Sequence, residues 1–308
     1  MTEFLIGTGG WAYFKVPNIS PLLAYSKAFN FVEVNSTFYK LPKINNVKSW
    51  RKIVPNDFEF SARCNQKLTH ELRFESVKES FDILEKMVQI CNILKAEILH
   101  FQIPPSFIYN KINSEKVKNF FSSTKKTDLR FALETRGLNP MSPCFMKALE
   151  DLDIIHCVDL LKGIEPVYQS DILYTRVFGK GYHNVYQPLD TELKQIDEKA
   201  SKEGIKKSII IMHTNRMFKD ATRFKIYKES GKFPMVTKTT GIDSLAEVLK
   251  EDTKYPSNKM ELLRHQGWKI IDLSSTQRIR AFDLLINLPE KTYFEIDDIL
   301  TVLEGQNI

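Results

Sequence analysis

Short apolar runs recur along the chain, with amphipathic stretches between them. The runs Phe4–Gly7, Phe31–Asn35, Phe58–Arg63, Glu97–Ile103, Arg130–Thr135, Ile154–Asp159, Ile172–Phe178 and Ser208–His213 are rich in Val, Ile and Phe. Several are almost continuously apolar, as parallel strands buried on both faces are. Helical spacing covers Ser20–Phe29, Asn45–Ile53, Thr69–Leu94, Ser114–Lys125, Ser142–Leu152 and Thr191–Glu203 between them. Ser, Thr or Asn opens these stretches, where an N-cap is needed, and Gly204 follows the last as a C-cap. Alternating strands and helices predict an α/β fold of right-handed βαβ units. Eight strands within about 215 residues predict a (β/α)8 TIM barrel. Only 12 residues separate Asp159 from Ile172, room for little more than a turn. A doubly wound open sheet is the alternative, but no GxGxxG follows the first strand.

A helix over Lys219–Glu229 completes the expected barrel domain, residues 1–231, and residues 232–240 read as a linker. From 241 to 308 helical patterns at Asp243–Lys250, Ser257–His265, Thr276–Asn287 and Glu295–Glu304 predict a small, mainly helical module, with a short strand at Trp268–Leu273. Such a module is near the lower size limit for folding alone. It suggests docking on the barrel, a homo-oligomer contact or a partner contact.

Composition narrows the class. Hydrophobic residues make up 43% of the 308 and charged residues 27%, with only 12 Gly and 13 Pro, which excludes disordered, collagenous and coiled-coil chains. No uncharged run approaches the roughly 20 residues of a membrane-spanning helix, so no membrane partner is expected. Met1-Thr2-Glu3-Phe4 lacks a basic region followed by an apolar stretch, so no secretory signal is expected. Cys64, Cys91, Cys144 and Cys157 show no CxxC spacing, which points to a reduced, cytoplasmic protein. Residues 241–308 carry 8 basic and 12 acidic residues, leaving 36 against 26, a net +10, on the first 240. A basic body suits anionic ligands, although a solvated Lys-rich surface gives the same count.

Candidate chemistry comes from strand parity. Inward side chains near strand C-termini line the mouth of a barrel. In Phe31-Val-Glu-Val-Asn35 the valines share one parity, which places Glu33 and Asn35 inward. The same logic selects Arg63, Gln102, Glu134, Arg136, Asp159, Arg176, His213 and Asn215. A barrel built for stability alone would hold branched aliphatics there, because an unpaired buried charge costs several kcal/mol. Glu33, Glu134 and Asp159 are candidate acid/base groups, provided their environments separate the pKa values of the two glutamates. Arg63, Arg136 and Arg176 offer planar forks for phosphate or carboxylate. Structural ion pairing between these acids and arginines is the competing reading. His213 reads equally as a general base or a packed mouth residue. Gly9, in Gly7-Thr8-Gly9-Gly10, could present backbone N–H groups to an anion or serve only a tight turn. Trp11, Tyr13, Phe38 and Tyr39 fall on mouth loops, either stacking on a base or sugar or plugging the barrel top. No HxH or HExxH occurs, and His100, Glu134, Asp159 and His213 lack a diagnostic spacing, so metal is disfavoured and no cofactor motif is found.

At these residues the chain resembles a known family. Gly7-Thr-Gly-Gly-Trp-Ala-Tyr13 and Phe31-Val-Glu-Val-Asn-Ser-Thr-Phe-Tyr-Lys-Leu-Pro42 are similar to the signature of the YecE-like family, the domain of unknown function DUF72. Phe101-Gln-Ile-Pro-Pro105, Leu133-Glu-Thr-Arg136, Tyr174-Thr-Arg176 and His213-Thr-Asn215 agree in order, over roughly residues 4–230. The resemblance implies a TIM barrel and supplies no reaction. Arg63 stands where the family has Lys, and His213-Thr-Asn215 where it has Phe-Asn-Asn, so no role carries over there. The expectation is an enzyme-like barrel binding a phosphorylated or other small anionic ligand at its mouth. The alternative is a non-catalytic nucleic-acid-binding protein using the basic body and the helical tail.

Overall fold

The computed structural model of the chain describes residues 2–124, 128–137 and 139–306. In chain order the strands and helices are β1 (Glu3–Thr8), α1 (Pro21–Ala28), β2 (Phe31–Val34), α2 (Ser36–Tyr39), α3 (Ile44–Ile53), β3 (Glu59–Arg63), α4 (Lys78–Leu94), β4 (Ile98–Gln102), α5 (Lys111–Ser122), β5 (Arg130–Glu134), α6 (Pro143–Asp151), β6 (Ile155–Cys157), β7 (Ile172–Val177), α7 (Asp190–Ala200) and β8 (Lys207–Met212). All eight expected strands form. The short Asp159–Ile172 crossover carries only a 3-10 turn at Leu160–Lys162. Lys125, where the fourth expected helix ends, lies outside the described residues.

The eight strands run parallel in two ladders, β2-β3-β4-β5-β6 and β7-β8-β1. An isolated parallel bridge between Val158 and Thr175 joins β6 to β7. Between β1 and β2 a side chain takes the place of a ladder. The Tyr25 hydroxyl accepts the Thr8 N–H at 3.0 Å and donates to Phe31 O at 2.9 Å. The strands approach closely here, and a Cβ on Gly7 would lie 2.3 Å from Phe31 O, so only glycine fits.

On β2, β4, β5, β6, β7 and β8 the side chains of the inward parity follow one rule, apolar first and polar last. Phe31, Ile98, Ala132, Ile155, Ile172 and Ile209 belong to a single buried core. Two or four residues further on, with the same parity, come Glu33, His100, Glu134, Cys157, Tyr174 and Arg176, and finally His213. Period-two alternation carries these six strands from packing to chemistry as they run toward their C-termini.

Two expected helices are interrupted. The stretch Thr69–Leu94 breaks into a π-type turn at Lys67–Glu71 and α4, because Arg73 and Phe74 adopt positive φ, 46° and 61°. That turn drives Phe74 into a buried aromatic cluster with Phe101, Phe107, Phe120 and Phe121. The stretch Thr276–Asn287 divides into a strand and a helix, as described below.

By backbone proximity the chain divides into two compact units, Met1–Val177 with Glu198–His213, and Phe178–Asp197 with Thr214–Ile308. The second contains α8 (Met217–Ser230), α9 (Gly241–Asp252), β9 (Ser257–Asn258), α10 (Lys259–Gln266), β10 (Ile270–Asp272), β11 (Arg278–Arg280), α11 (Ala281–Leu285), β12 (Thr292–Tyr293) and α12 (Ile296–Glu304). β11 pairs antiparallel with β10, setting Ile279 opposite Ile271, which is why its residues are extended rather than helical. Leu245, Leu249, Leu262, Leu285, Tyr293 and Leu303 share one core. No helix among the described residues is long and apolar enough to cross a membrane.

Candidate functional site

Arg176, near the end of β7, is the centre of the polar layer and is 1% exposed. Its Nε donates to Glu33 Oε1 at 3.1 Å, and its Nη2 lies 3.0 Å from the same oxygen. Its Nη1 is paired with Glu134 and donates to Gln102 Oε1 at 3.1 Å. Asn35 Oδ1 accepts from Nη2 at 3.4 Å, and His213 Nε2 lies 3.1 Å from Nε. A guanidinium spends its fixed fork of donors on several strands at once, which a lysine cannot do.

The two glutamates respond alike. Burial alone would raise both, but the Arg176 charge and contacts from His100 outweigh it and hold both well below the usual carboxylate range. Their environments therefore do not push their pKa values apart. Both are carboxylates at neutral pH, equipped to grip Arg176 rather than to supply a proton. Arg136 Nε pairs with Glu134 Oε1, and the Arg136 backbone is fixed by the Tyr109 hydroxyl, which accepts its N–H at 3.0 Å and donates to its carbonyl at 3.1 Å.

Arg63 is different. It is 7% exposed, lies 3.4 Å over the Phe38 ring and donates through Nη2 to Gln102 Oε1. Among the described residues no carboxylate pairs with it, and its buried Nε has no hydrogen-bond partner. Burial, and then the neighbouring Arg176 charge, push its pKa down to about 10. Counting arginines and glutamates, three positive charges face two negative ones.

The structure brings together Glu33, Asn35, Arg63, Gln102, Glu134, Arg136, Arg176 and His213. Gly9 joins them, since its carbonyl accepts from Asn35 Nδ2 at 2.8 Å and a Cβ on it would lie 1.9 Å from the His213 ring. Burial, then the Arg176 charge, lower the His213 pKa to about 4, so its ring is neutral at pH 7. Asp159 caps the turn after β6, accepting the Leu161 N–H at 3.1 Å. Trp11 packs edge-on against Trp50 at 5.4 Å, whereas Tyr13 and Tyr39 are 81% and 69% exposed and plug nothing. Asn215 belongs to the second unit, where its N–H bonds to Asn184 O at 3.2 Å.

Strand-end parity does not select four residues of this layer, of which His100 figures in the sequence only as part of a metal set without diagnostic spacing. His100, Tyr174, Ser61 and Cys157 share the inward parity of the strand-end residues but sit two positions deeper or on the shortest strand. Tyr174 donates to Glu33 Oε2 at 2.8 Å, and Ser61 Oγ lies 2.8 Å from the Tyr174 hydroxyl. His100 lies between the glutamates, with Nδ1 3.3 Å from Glu33 Oε2 and Nε2 3.2 Å from Glu134 Oε2.

Residues 5–227 match the family described as "Protein of unknown function DUF72". UPF0759 protein YunF of Bacillus subtilis is 29% identical over 151 residues, 46% of this chain and 53% of that protein, so the match spans about half the relative's length. A DUF72 family protein of Thermotoga maritima superposes with a TM-score of 0.62 at 20% identity, covering 74% of this chain and 100% of that one. One from Enterococcus faecalis gives 0.58 at 17% identity, covering 74% and 98%. At these identities the crystal structures speak for the fold, a TIM-barrel-like one.

Proposed function

The chain belongs to the DUF72 family of proteins of unknown function, and we propose that it is an enzyme-like member that binds a small phosphorylated or otherwise anionic ligand at the C-terminal ends of its strands. On this reading the two ladders are arcs of one (β/α)8 barrel, and the polar layer is its mouth. The observation that carries the proposal is Arg63, a buried guanidinium with no carboxylate opposite it beside two others that already hold both glutamates. An uncompensated buried cation costs several kcal/mol, and an arriving anion would recover it. Arg63 and the half-buried Arg136 grip the anion. Arg176, fixed by Glu33 and Glu134, supplies field without moving. The neutral His213 beside Gly9 is the proton acceptor for a ligand hydroxyl or acidic C–H.

Calorimetric titration of the full chain with inorganic phosphate at low ionic strength tests this. Binding should weaken at least tenfold in Arg63→Gln, with the fold intact by circular dichroism. Wild-type protein that takes up neither phosphate nor a small dicarboxylate would sink the proposal. If a single-stranded oligonucleotide binds instead, with affinity falling steeply in salt, the nucleic-acid reading replaces it.

A further inference from the structure

Against the arginines, three side chains of different chemistry converge: Glu134, which pairs with Arg136 and Arg176, His100, which is the register partner of Arg63, and Cys157. Glu134 on β5 and Cys157 on β6 are register partners, and His100 on β4 lies beside them. A ligand atom of each, imidazole nitrogen, carboxylate oxygen and thiol sulfur, falls within 4.8 Å of the others. All three are buried, His100 completely.

The histidine is the second observation. Both its ring nitrogens approach a carboxylate, yet neither contact has the alignment of a hydrogen bond, so a wholly desolvated imidazole is left with both nitrogens unsatisfied. Buried polar atoms in that state call for an explanation. A bound cation supplies one. Glu33 Oε2, 3.3 Å from Nδ1, is near enough to orient the imidazole once a metal is held between Nε2 and Glu134, whose Oε2 lies 3.2 Å from Nε2.

We propose that His100, Glu134 and Cys157 form a buried site for a divalent transition-metal ion of zinc's class. The donors are His100 Nε2, a Glu134 carboxylate oxygen and Cys157 Sγ. Mixed imidazole, carboxylate and thiolate ligation suits zinc and cobalt and disfavours magnesium and calcium. Binding replaces the thiol proton by the metal and releases that proton to solvent, with no change in oxidation state. The metal donors share Glu134 with the arginine layer but not Arg63, so Arg63→Gln should weaken phosphate binding at least tenfold and leave the metal in place.

The test is elemental analysis and native mass spectrometry of the full chain isolated from zinc-supplemented cells, repeated with cobalt. The expected result is about one equivalent of metal per chain, and a thiolate-to-cobalt charge-transfer band in the cobalt sample. Cys157→Ser and His100→Gln should each lower metal affinity at least tenfold, and Cys64→Ser, at another buried cysteine, should not. Protein isolated with less than about a tenth of an equivalent overturns the proposal. So does a cobalt-loaded chain without the charge-transfer band, a result that needs no variant to fold, or a Cys157→Ser chain that keeps its metal with unchanged affinity.

Discussion

Arg63→Met removes a buried guanidinium that has no carboxylate opposite it, and the structure sets the size of the effect on stability. A guanidinium pushed from 12.5 to about 10 holds its proton less firmly by about 3 kcal/mol. Against that, the contact over Phe38 contributes about 1 kcal/mol, and the hydrogen bond to Gln102 about 1 kcal/mol more. Methionine keeps the apolar stem in place. The ligand-free variant should therefore be more stable than wild type by about 1 kcal/mol, against the usual sign for a buried substitution. Urea unfolding in phosphate-free buffer at pH 7 measures it as a higher midpoint at unchanged slope. Phosphate at about 100 times its dissociation constant should reverse the order, because it stabilises wild type by about 2.7 kcal/mol and a variant weakened tenfold or more by at most about 1.4 kcal/mol. A variant less stable than wild type by about 2 kcal/mol without ligand would show that Arg63 is a structural residue and that the charge excess drives nothing.

Arg176→Met strands Glu33 and Glu134 in the interior and should cost about 3–5 kcal/mol, with more than half recovered on adding Glu33→Gln and Glu134→Gln; a single variant within about 1 kcal/mol of wild type in the same urea assay would refute the central role of the cation. A histidine whose folded pKa lies below its unfolded value binds its proton more readily when unfolded, so its contribution is complete above the unfolded value and lost as pH falls. Burial holds His156 and His213 each at about 4, against an ordinary 6.5. The urea midpoint should therefore fall as pH drops from 6.5 toward 4, and His156→Gln should flatten part of that fall; a level midpoint across this window would contradict it.

The eight strands were legible because each is a nearly continuous apolar run, and the mouth residues were legible because period-two alternation projects through a strand whatever its neighbours are. Both signals are local. Tyr174 was missed, and His100 was weighed only for its spacing as a metal ligand, because strand ends lie at Gln102 and Arg176, although the same parity two residues earlier points to both. Cys157, read only for its spacing to other cysteines, shows its setting once β6 is laid beside β5. The break before α4 was illegible for another reason. Phe74 turns inward to meet Phe101, Phe107, Phe120 and Phe121, and that reward comes from residues far along the chain. The common fate of Glu33 and Glu134 is likewise non-local, since the cation that lowers both arrives from β7.

The clasp formed by Tyr25 has a consequence for the order in which the chain is made. β1 emerges from the ribosome before the other seven strands, and its ladder partner β8 follows about two hundred residues later, some 10–40 s at ordinary elongation rates. Through that interval the flank of β1 that will meet β8 is an open edge bearing Leu5 and Ile6, the kind of edge that recruits other chains. The other flank needs no such wait, because Tyr25 follows Thr8 by only seventeen residues and Phe31 comes six later. A single phenol thus tethers nascent β1 to the strand made next, and β8 arrives to find its template already held.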